Sequence, residues 1–432
     1  MEKQGLTNKE YLIPFILITS LFFLWGLANN MTDTLLAAFK RIMSMTDSKT
    51  ALIQVVCYGA GYGLFAIPAA IFIKKYTYKT GVLLGLGMYA LGAILFYPAM
   101  LSAQYGWFLA AIWVLFSGLS ILETAANPYI ITMGPEETGT RRLNLAQSFN
   151  PIGSITGVFI SQYFILSQLN SASAAERALM SQEKLQKIQA HELSAVTMTY
   201  VSVGLILLVI WILIAINKKM PNTAEGDKNI DLIGTFRRII KKKHYIWGVI
   251  AQFFYVGAQI GVWSFTIRYV MQELKLESIT LSPGKTPEQI AASYYTAALI
   301  LFTASRFICT WLMKYIKPAV LLRILAIIAI ILSAIVALGG GKIGVYALVG
   351  ISGTMSLMFP TIFGLAVRGL GEDTKIAGSG LIMAILGGAI ITQIQGIVST
   401  FTGNINISYL IPLLCFVVIT IYSIIAQKYE TN

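Results

Sequence analysis

Polar residues along this chain of 432 residues are gathered into short islands between long apolar runs. The runs fall roughly at 12–39, 51–73, 81–101, 106–133, 143–168, 195–217, 246–271, 290–313, 318–339, 343–367, 376–400 and 408–427. Each is continuous rather than alternating, which predicts helix and argues against a barrel strand. Each is also close to the roughly 20 residues a helix needs to cross a bilayer. The expected fold is an all-α membrane protein of twelve transmembrane helices. Its tenth to twelfth runs are separated only by glycines and short loops.

Residues 218–245 form the longest polar interruption and contain KKMPNTAEGDKN, with six runs on either side. That divides the chain into two pseudo-symmetric six-helix bundles, 1–217 and 246–432, joined by a cytoplasmic linker at 218–245. Weak internal similarity supports a duplication. Phe22-Phe23-Leu24-Trp25-Gly26 in the first run matches Phe253-Phe254-Tyr255-Val256-Gly257 in the seventh, and Pro128 matches Pro360 at nearly the same offset. The loops GPEETGTRR and GLGEDTKIAG follow those prolines. Residues 169–194 are expected to form an outer loop with a short helix.

Composition agrees: 56% of residues are hydrophobic and only 12% charged, where soluble domains run near a quarter charged. The N-terminal MEKQGLTNKE is short and polar, and the run after it is too long for a signal-peptide core and lacks a small-residue cleavage site, so it is expected to be the first span. The net charge of +13 is spread as membrane orientation requires. With the N-terminus inside, most Lys and Arg fall on the cytoplasmic side, including Lys74, Lys75, Lys79, Arg237, Arg238 and Lys241 to Lys243. Both termini are therefore expected in the cytoplasm, with the chain in the inner membrane. The RRIIKKKH run fits lipid headgroups and orientation rather than nucleic acid. Cys57, Cys309 and Cys415 lie in apolar runs at spacings that suit neither a metal nor a disulfide framework. His191 and His244 lie in loops. No nucleophile–base pair, metal cluster or phosphate-binding glycine loop presents itself, so no enzyme, metal or organic cofactor is expected.

The informative positions are polar residues inside the runs. Asp33, Glu123 and Arg306 are the ionisable ones lying deep, and such residues usually face the bundle interior or a water-filled path. Asn29, Asn30 and Asp33 share one helical face, with Trp25 a turn earlier. An aromatic ring beside amides suits a sugar: the ring covers a C–H face and the amides bond hydroxyls. The bland alternative for Asp33 is an acid near the outer helix end, drawn to the surface beside Lys40 and Arg41. Glu123 lies in GLSILETAANPYI, with Asn127 one turn on and Pro128 after it. Desolvation penalises its charged form, so it can carry a proton across or serve as a buried structural acid. Asn144, Gln147, Asn150 and Ser154 make a row in the fifth run, available for inter-helix bonds or substrate hydroxyls. Gln252, Tyr255, Gln259 and Trp263 make a comparable stripe in the seventh, open to packing or to substrate. Arg306 can bond carbonyls or tie helices together across a gate; Gln393 and Gln395 are weaker candidates. The first half thus holds both carboxylates, suiting it to carry protons while both halves clasp a sugar.

The strings FFLWGLANNMTDTLL, LETAANPYI, GPEETGTRRLNLAQSFN, AQFFYVGAQIGVWSFTIRY and FPTIFGL resemble the fucose:proton symporter family of the major facilitator superfamily across nearly the whole chain. That family includes permeases for L-fucose and for glucose, galactose or related hexoses, and the fucose pattern is the nearest. The resemblance implies the major facilitator fold and proton-coupled sugar uptake by alternating access. The protein would act as a monomer in the bilayer, with protons as the coupling ion and no nucleic-acid partner. It assigns proton coupling to Asp33 and Glu123, and sugar contact to Asn30, Gln147 and Asn150. Trp25, Asn29, Asn127, Gln259, Trp263 and Phe359 complete the expected sugar site. Phe359 departs from the fucose pattern, which has tyrosine before the proline of the tenth span, and this opens the sugar choice. The superfamily's Asp- and Arg-bearing loop after the second span is also absent, replaced by IKKYTYKTG. Other functions compatible with these residues are a glucose/galactose or N-acetylhexosamine symporter, a drug/proton antiporter, and a transporter-like sensor.

Overall fold

The computed structural model describes residues 5–43, 53, 56–57, 61–62, 64–102, 104–170, 176–177, 179–221, 231–276 and 287–430, with side chains except at 29, 32–38, 40–41 and 287–289. Among the described residues all regular structure is helical. Ten stretches there are long and apolar enough to cross a bilayer. Of the second expected span, residues 51, 52, 54, 55, 58–60 and 63 lie outside the described residues, and its second half is helical. The fifth is divided into two helices, neither long enough to cross alone.

In chain order the helices are α1 (Leu12–Ile42), α2 (Leu64–Lys75), α3 (Tyr78–Ile94), α4 (Phe96–Ser102), α5 (Tyr105–Ile131), α6 (Gly139–Gln147), α7 (Phe149–Phe164) and α8 (Gln182–Ile216). There follow α9 (Leu232–Lys241), α10 (Lys243–Glu273), α11 (Pro287–Leu312), α12 (Pro318–Gly339), α13 (Gly341–Met355) and α14 (Met358–Ala366). The last are α15 (Thr374–Met383), α16 (Gly387–Thr402), α17 (Ile405–Ser408) and α18 (Leu410–Glu430).

One expected element is corrected. Within 169–194, Glu176 and Arg177 are helical in the loop as expected, whereas 182–194 are the first turns of α8, which runs unbroken into the sixth span. The Ser181 side chain caps its start by accepting from the Lys184 N–H. A buried ion pair then holds the preceding loop: Arg177 Nη1 lies 2.9 Å from Glu192 Oε2, and Glu192 Oε1 accepts the Asn170 N–H at 2.8 Å.

Contacts divide the chain into two compact units. One comprises Thr7–Met133 and Phe149–Ile230; the other comprises Met1–Leu6, Gly134–Ser148 and Asp231–Asn432. In the first unit α1 lies against α7 at backbone contact distance. A Cβ on Gly153 would stand 1.8 Å from the Phe23 carbonyl oxygen, and one on Gly26 would stand 2.0 Å from that of Asn150. The second unit repeats the device between α10 and α16, where a Cβ on Gly387 would stand 1.9 Å from the Phe253 carbonyl oxygen. The duplication seen in the sequence thus has a packing counterpart, a glycine laid on a phenylalanine carbonyl. Small residues permit this approach between spans, where lipid removes the hydrophobic drive for helix association. Gly153→Ala is expected to lower the melting temperature of the purified protein and its folded yield. Gly106→Ala, whose Cβ would meet nothing within 4 Å, is expected to leave both unchanged. Fluorescence-detected size-exclusion chromatography after heating measures the difference.

Helix α6 belongs to the second unit and packs on α14. A Cβ on Gly364 would stand 2.7 Å from Thr140 Oγ1, and Asn144 Nδ2 donates to Thr361 Oγ1 at 3.1 Å. The start of α6 is anchored by the buried Arg142, which donates to Leu6 O at 2.7 Å, Thr138 Oγ1 at 3.0 Å and Gly134 O at 3.2 Å.

Candidate functional site

Glu123 sits about two-thirds of the way along α5 and is only 2% exposed. The Tyr62 hydroxyl donates to its Oε1. Its Oε2 is enclosed and has no hydrogen-bond partner among the described residues. A neutral acid would hold a proton there without an acceptor, and a carboxylate would hold a lone pair there without a donor. Either state leaves one desolvated polar atom, an arrangement native interiors rarely tolerate without a task. Asn127, a turn further on, donates Nδ2 to the Glu123 carbonyl at 2.9 Å, so it braces the helix at the carboxylate. Tyr62 was not singled out in the sequence. Its signal was a hydroxyl within CYGAGYG, in an apolar run where lipid offers it no partner.

Helices α1 and α7 bring the next set together in the same unit. Asn150 Nδ2 donates to Phe22 O at 3.2 Å, Ser154 Oγ donates to Gly26 O at 3.4 Å, and Asn30 Nδ2 donates to Gly26 O at 3.3 Å. Trp25 is half-buried beside Phe22, and its Nε1 is enclosed without a partner among the described residues. The side chains of Asn29 and Asp33, both on α1, lie outside the described residues.

The second unit is organised around two helix breaks. The fifth span stops after Gln147 and restarts at Phe149; the tenth stops after Met355 and restarts at Met358. Pro151 and Pro360 are the third residues of the restarted helices. A proline has no N–H to return to the carbonyl four residues back, and those carbonyls are Gln147 and Ser356. Arg306, from α11 and 3% exposed, donates Nη1 to Gln147 O at 3.0 Å and Nε to Ser356 O. Its guanidinium also lies over the Phe302 ring, 4.6 Å from the centroid. Arg306 bonds carbonyls, and through them it joins α11 to α6 and to the turn between α13 and α14. Neighbouring Met355 O accepts the Tyr255 hydroxyl at 3.1 Å, and Phe359 packs on the Tyr255 ring at 6.3 Å.

The turn at Ser148 falls within the polar row of the fifth span. Asn144 and Gln147 lie on α6 and Asn150 and Ser154 on α7, with Ser148 between them still in a helical conformation (φ −64°, ψ −19°). Asn144 is fully buried and serves an inter-helix bond. On α10, Trp263 donates Nε1 to Ser352 Oγ at 3.1 Å and packs edge-on against Phe302. Gln259, half-buried, makes no side-chain hydrogen bond among the described residues. Gln252 and Gln395 are fully buried, with both amide ends unpartnered among the described residues. A cavity of about 430 Å³ lined by Val249, Phe253, Gly380 and Met383 is apolar and touches none of the candidate residues. Among the described residues no group of His, Cys, Asp or Glu could hold a metal ion.

Apolar helices long enough to cross a bilayer, two packed units and isolated ionisable side chains buried inside spans define a multi-pass membrane transporter. The chain belongs to the Major Facilitator Superfamily, whose family model matches residues 15–393. It is 41% identical to the L-fucose-proton symporter of Haemophilus influenzae, over 98% of both chains. It is 40% identical to the L-fucose-proton symporter of Escherichia coli K12, over 100% of this chain and 97% of that one. The glucose/galactose transporter of Brucella abortus is 32% identical over 98% of this chain and 96% of its own. Among solved structures, the transporter FucP in the outward conformation matches at a TM-score of 0.89 and 40% identity, covering 97% of this chain and 99% of that one. The proton:xylose symporter XylE matches at 0.66 with 10% identity over 96% of each chain, a likeness of fold alone.

Proposed function

We propose that this protein is a proton-coupled symporter that imports L-fucose, a 6-deoxyhexose, across the cytoplasmic membrane by alternating access. Glu123 carries the proposal: a carboxyl enclosed among spans, bonded to Tyr62 through one oxygen and without a partner among the described residues at the other. It occurs in a chain 40% and 41% identical along its length to two L-fucose-proton symporters. Asp33 and Glu123 are the proton-coupling pair in this scheme. Asn30, Gln147 and Asn150 bond the sugar, with Trp25, Asn29, Asn127, Gln259, Trp263 and Phe359 completing its surroundings. Asn127 and Trp263 already spend a donor on protein partners, so Asn127 acts by bracing and Trp263 through its ring.

Protonation of Asp33 from outside favours sugar binding, and Glu123 passes the proton inward as the sugar leaves. Moving one charge through 100 mV contributes about 2.3 kcal/mol, which sustains a sugar gradient of about fiftyfold. The distribution of Lys and Arg supports cytoplasmic termini, with residues 1–217 and 246–432 as the two bundles and 218–245 as their linker. The protein works as a monomer with the proton as its only cofactor-like partner.

One observation favours a neighbouring sugar. Phe359, before Pro360, offers no hydroxyl where the fucose pattern has tyrosine, and a glucose/galactose transporter is among the similar proteins. Uptake of labelled L-fucose, glucose, galactose and N-acetylglucosamine into proteoliposomes, with and without an inward proton gradient, separates the two. Gradient-driven L-fucose accumulation is expected. Accumulation of another hexose with no L-fucose uptake would assign the chain to that sugar, and sugar-independent drug efflux would refute symport.

A further inference from the structure

Helix α9 is used by nothing described above. It is capped by Asp231, whose Oδ1 accepts the Gly234 N–H at 2.8 Å, and a single residue, Lys242, separates it from the span-forming α10. Its Thr235 and Ile239 are buried against the protein. Arg238 fixes it further, donating Nε to Asp373 Oδ2 at 2.8 Å and Nη2 to Asp373 Oδ1 at 2.7 Å. The opposite face is unexpected: Ile233, Phe236 and Ile240 recur at helical spacing and are 70%, 37% and 59% exposed. Arg237 and Lys241, also exposed and one turn apart, flank that apolar stripe. Beneath them a recess of about 410 Å³ is lined by Arg238, Ile239, Lys241, Lys242, Gly369, Leu370 and Asp373. Arg237, Lys241 and Lys242 make no ion pair among the described residues, and the recess holds one carboxylate, already bonded to Arg238.

An apolar stripe edged by unpaired basic side chains, at the mouth of a span, has the pattern of a helix lying in the bilayer interface. In water the stripe would be a standing aggregation hazard; at the headgroup boundary it is satisfied. The basic recess beside it complements a phosphate diester. We propose that α9 is a membrane-surface helix that inserts Ile233, Phe236 and Ile240 at the acyl boundary and holds an anionic phospholipid headgroup on Arg237, Lys241 and Lys242.

The test uses the full chain in vesicles. Cys57, Cys309 and Cys415 are buried, so an environment-sensitive fluorophore on Ile233→Cys labels α9 selectively. Quenching is compared in phosphatidylcholine vesicles whose minor component is brominated phosphatidylglycerol or brominated phosphatidylcholine. Stronger quenching by the anionic lipid is expected, and Arg237→Gln, Lys241→Gln and Lys242→Gln should each reduce the preference by about fivefold, the equivalent of one surface charge at about 1 kcal/mol. Phe236→Asn with Ile240→Asn should move the label out of reach of both brominated lipids. Equal quenching by the two lipids, or a preference surviving the triple Gln variant, overturns the proposal. Loss of the preference on adding inorganic phosphate also overturns it, by making the recess a site for the free anion.

Discussion

Glu123→Gln is expected to abolish proton-driven sugar accumulation while leaving sugar exchange intact. Glutamine keeps the shape of the acid and an oxygen to accept the Tyr62 hydroxyl, but it cannot bind or release a proton. The packing of α5 is therefore preserved and only the titrating atom is lost. In proteoliposomes the internal-to-external ratio of labelled sugar should fall from about fiftyfold at 100 mV to about one. Counterflow of sugar down its own gradient should continue. Alkalinisation outside the vesicles on sugar addition should vanish in the same variant. A surviving alkalinisation would remove Glu123 from the coupling path. Tyr62→Phe is the companion measurement: it strips the donor from Oε1 without touching the acid. It should shift the pH of half-maximal uptake while leaving exchange in place, whereas a purely structural tyrosine would lower all activity in parallel.

The spans and the buried acid were legible because both are strong one-dimensional signals. Continuous apolar runs have one stable form in lipid, and an acid deep within one has few reasons to be there. The partners of that acid were not legible, since hydrogen bonds link residues far apart in sequence: Tyr62 lies in the run before α3, Glu123 in the second half of α5. The break at Ser148 was missed for a different reason. Asn144, Gln147, Asn150 and Ser154 keep helical spacing straight through it, so periodicity alone reads one helix. Pro151 was the warning, and it acts at a distance of four residues. The extension of α8 was missed because its first turns are largely polar, resembling a loop; the buried pair Arg177–Glu192 and the Gln189 bond to Ile42 O give them contact.

Arg306→Met is expected to be the most destabilising of the single substitutions considered. Each hydrogen bond from a charged donor is worth about 1.5–3 kcal/mol, and a buried carbonyl left alone costs about as much. Arg306 serves two carbonyls that their own helices cannot serve, so its loss should cost about 3–6 kcal/mol. Arg306→Lys should recover at most one bond, because a single ammonium lacks the spread of the guanidinium fork. The link to the prolines can be tested by itself. Pro151→Ala restores an N–H four residues after Gln147, so that carbonyl no longer depends on Arg306. In the Pro151→Ala background the penalty of Arg306→Met should therefore shrink by about the worth of one such bond, 1.5–3 kcal/mol. Pro360→Ala should relieve the Ser356 half in the same way, and the two reliefs should add if the bonds are independent. Double-mutant cycles on thermal unfolding of the detergent-solubilised protein measure each coupling. An Arg306→Met penalty that is equal in all backgrounds would detach the arginine from the proline-freed carbonyls and leave burial of its side chain as the sole origin of its effect.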